Sequence, residues 1–330
     1  MVVAEKLEME AGLRRPTIKD VASVAGVSVT TVSHALNDKG RVDDGTRQRI
    51  KDIAIELGYS ANPRARALRT GGGRTIGLIT GLEADQSPDR DSRFDWYMRT
   101  AFAGAAEALR LGYALVLMPP SDQQAWVREL TVDGVLVIDP EPEGELVPQL
   151  LGRNLPVVVI GGQIDLPGVA TVALDRRSAV AEVLKHFARR GRRRPAIVID
   201  DSRRQMTVGT AEAYRASCAE PLVEIADTAQ GRSAGGAAAM MRLLEADPLL
   251  DAIYAPLDSI AVGCVSAIAD SGRDVEVVTA EGLVAQAYGL CGVDTRREDQ
   301  AAEAAKMLID QIETGVSPRS RVLTAGLVER

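Results

Sequence analysis

Cysteine and histidine are nearly missing from this sequence. Its three cysteines, Cys218, Cys264 and Cys291, show no paired spacing and are odd in number, and its only histidines are His34 and His186. Together these exclude a disulfide framework and a zinc site, since neither matched thiols nor a close set of metal ligands is on offer. Unpaired thiols fit a reducing cytoplasm. The N-terminus, MVVAEKLEMEAG, carries acids and no apolar h-region, so it does not read as a signal peptide. No apolar run approaches the ~20 residues that span a bilayer. Aromatics are scarce at 3%, with Ala, Arg and Val abundant, a bias of composition more than of function.

What is present is a chain of 330 residues, 46% hydrophobic and 26% charged, which is the composition of a globular protein of two or three domains. Its net charge of -7 is unevenly spread: residues 1–70 hold 12 Lys/Arg against 9 Asp/Glu, leaving -10 for the remainder. A basic head on an acidic body is the asymmetry expected when only the head meets a polyanion.

Thr17 can N-cap IKDVASVA, with Asp20 three residues on in the place of a capping-box acid. Ile18, Val21, Ala22 and Ala25 fall on one face of that helix. Gly26 supplies a tight turn, Val27 packs inward, and Ser28 caps VTTVSHALN, whose inner side is Val32, Ala35 and Leu36. A third helix, Asp44 to Leu57, buries Ile50, Ile53, Ala54 and Leu57. Three short helices with a glycine between the first two form a helix-turn-helix pattern. The outer face of the second helix, Val29, Thr30, Thr31, Ser33 and His34, is short, polar or methyl-bearing and free of acids. Such a face can approach base edges in a major groove, while Arg41, Arg47, Arg49 and Lys51 lie where phosphates would be.

Next, Asn62 caps and Pro63 starts a short segment, PRARALRT, that ends at Gly71-Gly72-Gly73. One or two turns of basic helix are not stable alone, and Leu68 is their only large apolar side chain. It suits a wedge into a minor-groove step better than a core.

The run TIKDVASVAGVSVTTVSHALN followed by LGYSANPRARALRTG resembles the DNA-binding head and hinge of the LacI/GalR family. The resemblance implies base reading by Val29, Thr30 and His34, and a hinge in which Leu68 is the wedge, Ala65 the small residue at the helix pair, and Asn62 the cap. It also implies backbone contacts from Thr17, Ser28, Thr31, Ser33, Arg41, Thr46, Arg47 and Arg64. Family members often carry Arg where this chain has His34, which changes the preference expected at that base pair. The expected division is residues 1–16 as a disordered extension, 17–61 as the head, 62–73 as hinge and linker, and 74–330 as the body.

From Arg74 onward, apolar runs alternate with amphipathic segments: RTIGLIT, YALVLMPP, VDGVLVID and LPVVVIGG as strands with helices between them, then RPAIVIDD, LVEIAD, DAIYAP and DVEVVTAEG in the same rhythm. That βαβα order predicts two doubly wound parallel-sheet subdomains with a ligand cleft at the C-terminal ends of their strands. The body resembles the periplasmic-binding-protein-like domain of the same family, with two interleaved subdomains. Asp95, Trp96, Asp139 and Gln205 stand at element ends facing the expected cleft. By resemblance, Asp175 with Arg176 best keeps an effector position, whereas Thr210, Asp258 (after Leu257) and Glu281 replace the family's usual Arg, Asn-Asp pair and Asp. Several of the fingers that hold a hexose are thereby lost, leaving the effector a sugar or another metabolite.

GRSAG (231–235) satisfies the G-x-S-x-G hydrolase pattern, but no His follows it, so the match is read as chance or a loop. GGGR lacks the Lys-Ser/Thr of a phosphate loop. RRGRRRP (189–195) is read as a solvated helix end. No catalytic residue, metal or cofactor is expected. The expectation is a homodimeric regulator, most often a repressor in this family, reading a double-stranded pseudopalindromic operator and governed by a small molecule. The chain stops after LVER without a heptad tail, which favours a dimer over a tetramer. The competing reading is a cytoplasmic solute-binding or enzymatic α/β protein whose helical head contacts other proteins.

Overall fold

The computed structural model describes residues 16–36, 40, 42–59, 73–80, 90–118, 131–141, 143–162 and 164–330, and of 80 and 90–96 the backbone only. It divides into two compact units, 1–73 and 74–330.

The first unit holds α1 (Ile18–Ala25), α2 (Val29–Leu36) and α3 (Asp44–Glu56). Their spacing of apolar residues produces one small core: Val21, Ala22, Ala25, Val32, Ala35, Ile50 and Ala54 are buried, with Ile18, Val27, Leu36, Ile53, Leu57 and Tyr59 packed around them. Tyr59, which helical periodicity does not reach, closes one side. Gly26 ends α1 at φ 66°, in the left-handed region where a Cβ is strained, and so makes the short turn into α2 possible.

The second unit contains two six-stranded sheets. In chain order its elements are β1 (Thr75–Thr80), α4 (Arg90–Arg110), β2 (Ala114–Met118), β3 (Gly134–Ile138), α5 (Leu146–Gly152), β4 (Val157–Ile160), β5 (Ala170–Leu174), α6 (Arg176–Arg189), β6 (Pro195–Asp200), α7 (Gln205–Ser217), β7 (Leu222–Ala226), α8 (Arg232–Ala246), β8 (Ala252–Tyr254), α9 (Asp258–Ser271), β9 (Glu276–Ala280), α10 (Leu283–Tyr288), β10 (Cys291–Asp294), α11 (Arg297–Thr314), β11 (Arg321–Leu323) and β12 (Gly326–Val328). The first sheet runs β11-β5-β4-β3-β1-β2 and the second β12-β10-β9-β8-β6-β7. All pairings are parallel except β10 with β12. β3 and β4 are buried along their whole length, as expected of strands covered on both faces, which explains their unbroken apolar runs.

The chain crosses between the halves three times, after β5, after β10 and between β11 and β12. The second crossing carries α11 back under the first sheet, where Ala301, Ala304, Ala305 and Leu308 complete a core with Ile76, Leu78, Leu136 and Ile138. Sequence rhythm alone does not foresee that return.

Two segments set aside above have structural roles. The GRSAG run is not a loop after Gly231: Arg232 opens α8. A Cβ on Gly235 would lie 2.1 Å from the Asp227 carbonyl oxygen, one on Gly236 2.4 Å from that of Ile260, and one on Gly263 1.9 Å from that of Ser233. Gly236 and Gly263 bring α8 and α9 into backbone contact, and Gly235 seats α8 against the chain just after β7. In the 189–195 run, Arg189 pairs with Glu329, Arg190 with Glu276, Arg192 with Asp274 and Glu276, and Arg194 with Glu220 and Asp247. Glu276 also accepts from the buried His186 ring at 2.8 Å. Four of the run's five arginines thus pair with the protein's own acids. Among the described residues no helix is long and apolar enough to cross a membrane, and all three cysteines are free.

Candidate nucleic-acid interface and ligand cleft

In the head, each helix end is closed by a local contact. The Asp20 carboxylate accepts the Thr17 backbone N–H and hydroxyl, both at 2.7 Å. Ser28 Oγ accepts the Thr31 N–H at 3.1 Å and lies 2.8 Å from its hydroxyl. Asp43 accepts the Thr46 N–H at 2.9 Å, and its hydrogen bonds with Thr46 hold the carboxyl below its ordinary range. With the ends fixed, α2 turns Val29, Thr30 and His34 to solvent, with Thr31 and Ser33 half-buried beside them. No acid stands on α2.

Two arginines expected at phosphates also make contacts within the head. Arg47 donates to the carbonyls of His34, Ala35 and Val42 at 3.5, 3.4 and 3.2 Å, and Arg49 to that of Ala25 at 2.6 Å. Both cap the carbonyl ends of the first two helices, where a cation meets the negative end of the helix dipole. Arg41 and the hinge residues Asn62, Arg64, Ala65 and Leu68 lie outside the described residues.

In the body, the cleft opens at the C-terminal strand ends of both sheets. The first sheet contributes Ile138 and Asp139. The second contributes Asp200, Ser202, Arg204, Met206 and Thr207 after β6, Arg232 at the start of α8, Pro256, Leu257, Asp258 and Ser259 at the start of α9, Ala280, and Thr295 after β10. Asp200 is satisfied: the hydroxyls of Ser202 and Thr207 donate to it at 2.8 and 2.5 Å, and Arg232 lies 3.7 Å away. Asp139 is 7% exposed, has φ 40°, and leaves Oδ1 without a partner. Burial pushes its carboxyl above the ordinary value, against the pull of Arg176 and Arg204. A non-glycine residue in the left-handed region is uncommon and marks a position held by its surroundings. Here Arg204 Nη1 holds the Asp139 carbonyl at 3.0 Å from the other half.

The residues expected in the cleft are thus divided. Asp139 and Asp258 line it. Asp175, Arg176 and Gln205 come together in a separate hollow with Gly161 and Glu212. There Asp175 caps α6 by accepting the N–H groups of Arg177 and Ser178, and Arg176 is threaded inward to the Gly161 carbonyl. Two positions turn elsewhere. The Thr210 hydroxyl donates to the Met206 carbonyl in its own helix. Glu281 is bound by Arg330 at 2.6 and 2.8 Å, which holds its carboxyl below its usual range, so it serves the chain's end rather than the cleft. Asp95 and Trp96 lie in the first turns of α4, with side chains outside the description. Reading the sequence missed Asp200, Ser202, Arg204, Thr207, Arg232 and Thr295. The polar stretch directly after the apolar PAIVI was the available signal for the first four.

A helical unit built on the helix-turn-helix plan, followed in one chain by a two-sheet body of periplasmic-binding type, defines a class of bacterial regulators. The description "Bacterial regulatory proteins, lacI family" matches residues 17–62, and "Periplasmic binding proteins and sugar binding domain of LacI family" matches 90–320. The chain belongs to the LacI family and is a transcriptional regulator with a sugar-binding-type domain, not an enzyme. An HTH-type transcriptional regulator of Mycobacterium tuberculosis is 30% identical over 280 residues, spanning 76% of this chain and 77% of its own length. The transcriptional regulator CelR, solved as a cellobiose complex, is 27% identical with a TM-score of 0.69, covering 96% of this chain and 99% of its own. The lac repressor dimer bound to operator and an anti-inducer has the same fold at 20% identity, with a TM-score of 0.74, covering 96% and 98%.

Proposed function

We propose that this protein is a homodimeric repressor whose two heads read a pseudopalindromic operator, and that a small molecule in the cleft of the body governs that reading. The observation that carries it is the outer face of α2, where Val29, Thr30 and His34 are exposed, short and unopposed by any acid on the helix. Methyl groups there suit thymine and an imidazole donor suits guanine. One head offers few contacts, so two related by a twofold axis are required for a tight site. Support for the pairing comes from α4, which exposes Phe102 and Leu109 two turns apart, and from edge strand β2, which exposes Val116 and Leu117. Leu68 of each hinge is assigned to the central step and Ala65 to the hinge-helix contact, with Asn62 as its cap. The relatives lend further support, one being a cellobiose complex and another an operator-bound dimer. An effector that binds one arrangement of the two halves better than the other shifts the head equilibrium, and DNA must alter effector affinity reciprocally.

The test is selection of random duplexes on the purified chain at moderate salt, alongside its mass by light scattering. Enrichment of a palindrome of roughly 14–20 base pairs by a dimer supports the reading, half-sites being about one helical turn apart. A monomer, or no enriched sequence, overturns it.

A further inference from the structure

The imidazole of His34 rests on a glycine. A Cβ built on Gly40 would lie 2.6 Å from His34 Nδ1, 3.0 Å from Cγ and 3.2 Å from Cε1. Such similar distances to three neighbouring ring atoms mean an approach to the flat of the ring and not to its edge. Carbon contacts are ordinarily about 3.5–4.0 Å, so no residue with a Cβ fits at position 40 while the ring keeps this place. The backbone of His34 is held as well, because Arg47 donates to its carbonyl at 3.5 Å. An exposed side chain at a helix end ordinarily samples several rotamers, and ordering it on binding costs free energy. His34 is exposed, yet one face of its ring is already seated. The contact with Gly40 leaves the in-plane directions of both ring nitrogens, along which they donate and accept, to another partner.

We propose that Gly40 is a positioning residue for base reading: its missing side chain seats the His34 ring in the orientation from which it meets a base edge. This rests on α2 being the reading helix. A methyl group at position 40 drives the ring into another rotamer, which blurs the preference at one base pair per half-site and leaves the phosphate contacts alone. Gly40 also has φ 70°, so a side chain there strains the backbone in any case. Gly58 separates the two effects. It lies in the same unit at φ 63°, and a Cβ built on it meets nothing within 4 Å.

The test selects a randomised duplex pool on the full chain and on Gly40→Ala, Gly58→Ala, His34→Ala and the double variant of Gly40 and His34, with melting followed in parallel. Both glycine variants should lower the melting of the head. Only Gly40→Ala should flatten the preference at the base pair that His34→Ala flattens, by about tenfold in competition between duplexes differing there, with the salt slope kept. In the double variant the change at Gly40 should add nothing to the loss of preference from His34→Ala. Should Gly40→Ala not fold, Gly40→Asn carries the same Cβ on a residue better suited to the left-handed region, and the same flattening is expected of it. A native preference retained by the Gly40 variants, or a uniform loss across the site matched by Gly58→Ala, overturns the positioning role. An enriched site that His34→Ala leaves unchanged also overturns it, while α2 stands as the reader. No sequence enriched by the native chain overturns both.

Discussion

The head and the cleft present their chemistry in opposite ways. On the head, Val29, Thr30 and His34 stand within six consecutive residues of one helix and face outward, while the arginines nearby are occupied with helix ends. In the cleft the polar groups come from five separate strand ends of two sheets, and two oxygens are left buried without partners. A surface that reads a large polyanion can be built locally, because its partner supplies the rest of the geometry. A site that encloses a small molecule has to be assembled from distant segments.

The strongest way to break this comparison is to damage one region and watch the other. Gly263→Ala places a methyl against the Ser233 carbonyl at 1.9 Å, forcing α8 from α9. Overpacking of that kind should destabilise the body by about 3 kcal/mol. Calorimetry should show the body transition falling while the isolated affinity of the head for duplex DNA is retained.

Within the head, His34 and Arg47 should separate reading from scaffolding. His34→Ala should reduce discrimination at one base pair per half-site by about 2 kcal/mol without changing the salt dependence of binding. Arg47→Ala should lower head stability by about 1 kcal/mol through the lost carbonyl caps. If binding titrations instead show the salt slope of each head reduced by about one, Arg47 is a phosphate contact after all.

The smallest effect is expected at Asp139. Its folded carboxyl is raised above 3.8 by burial. Stability tied to it is therefore fully present below that ordinary value and is lost as pH rises through the raised one. Asp139→Asn removes the titration. Without ligand, the variant should melt above the native protein at neutral pH, and the gap should close toward pH values below 3.8. An equal gap at all pH values would show that the carboxylate is not desolvated in solution.

What was legible follows the same division. Periods of 3.6 and unbroken apolar runs revealed the three head helices and most strands, since each rests on neighbours in sequence. Thr17, Gly26 and Ser28 announced their turns. The cleft was legible only in part. Asp139 and Asp258 sit at strand and helix ends, which the fold class predicts. Thr295 and Arg232 are brought in by β10 and α8, whose positions depend on the order of strands across a sheet rather than along the chain. Asp175, Arg176 and Glu281 have the right residue types, but Asp175 is taken by a helix cap, Arg176 by a carbonyl of the other half and Glu281 by Arg330, contacts that no local pattern records.

The return of α11 beneath the first sheet also bears on how the chain is made. Synthesis delivers β1 through β5 early, yet the layer that covers their inner face contains Ala301, Ala304, Ala305 and Leu308. An edge partner, β11, comes later still, at Arg321–Leu323. The first half therefore keeps apolar surface uncovered until α11 and β11 have been made, whereas β6 to β10 of the second half can gather beforehand and lack only the edge strand β12. The portion translated first thus depends on segments made roughly 200 residues later, and the emerging body has most to gain from a chaperone during that interval.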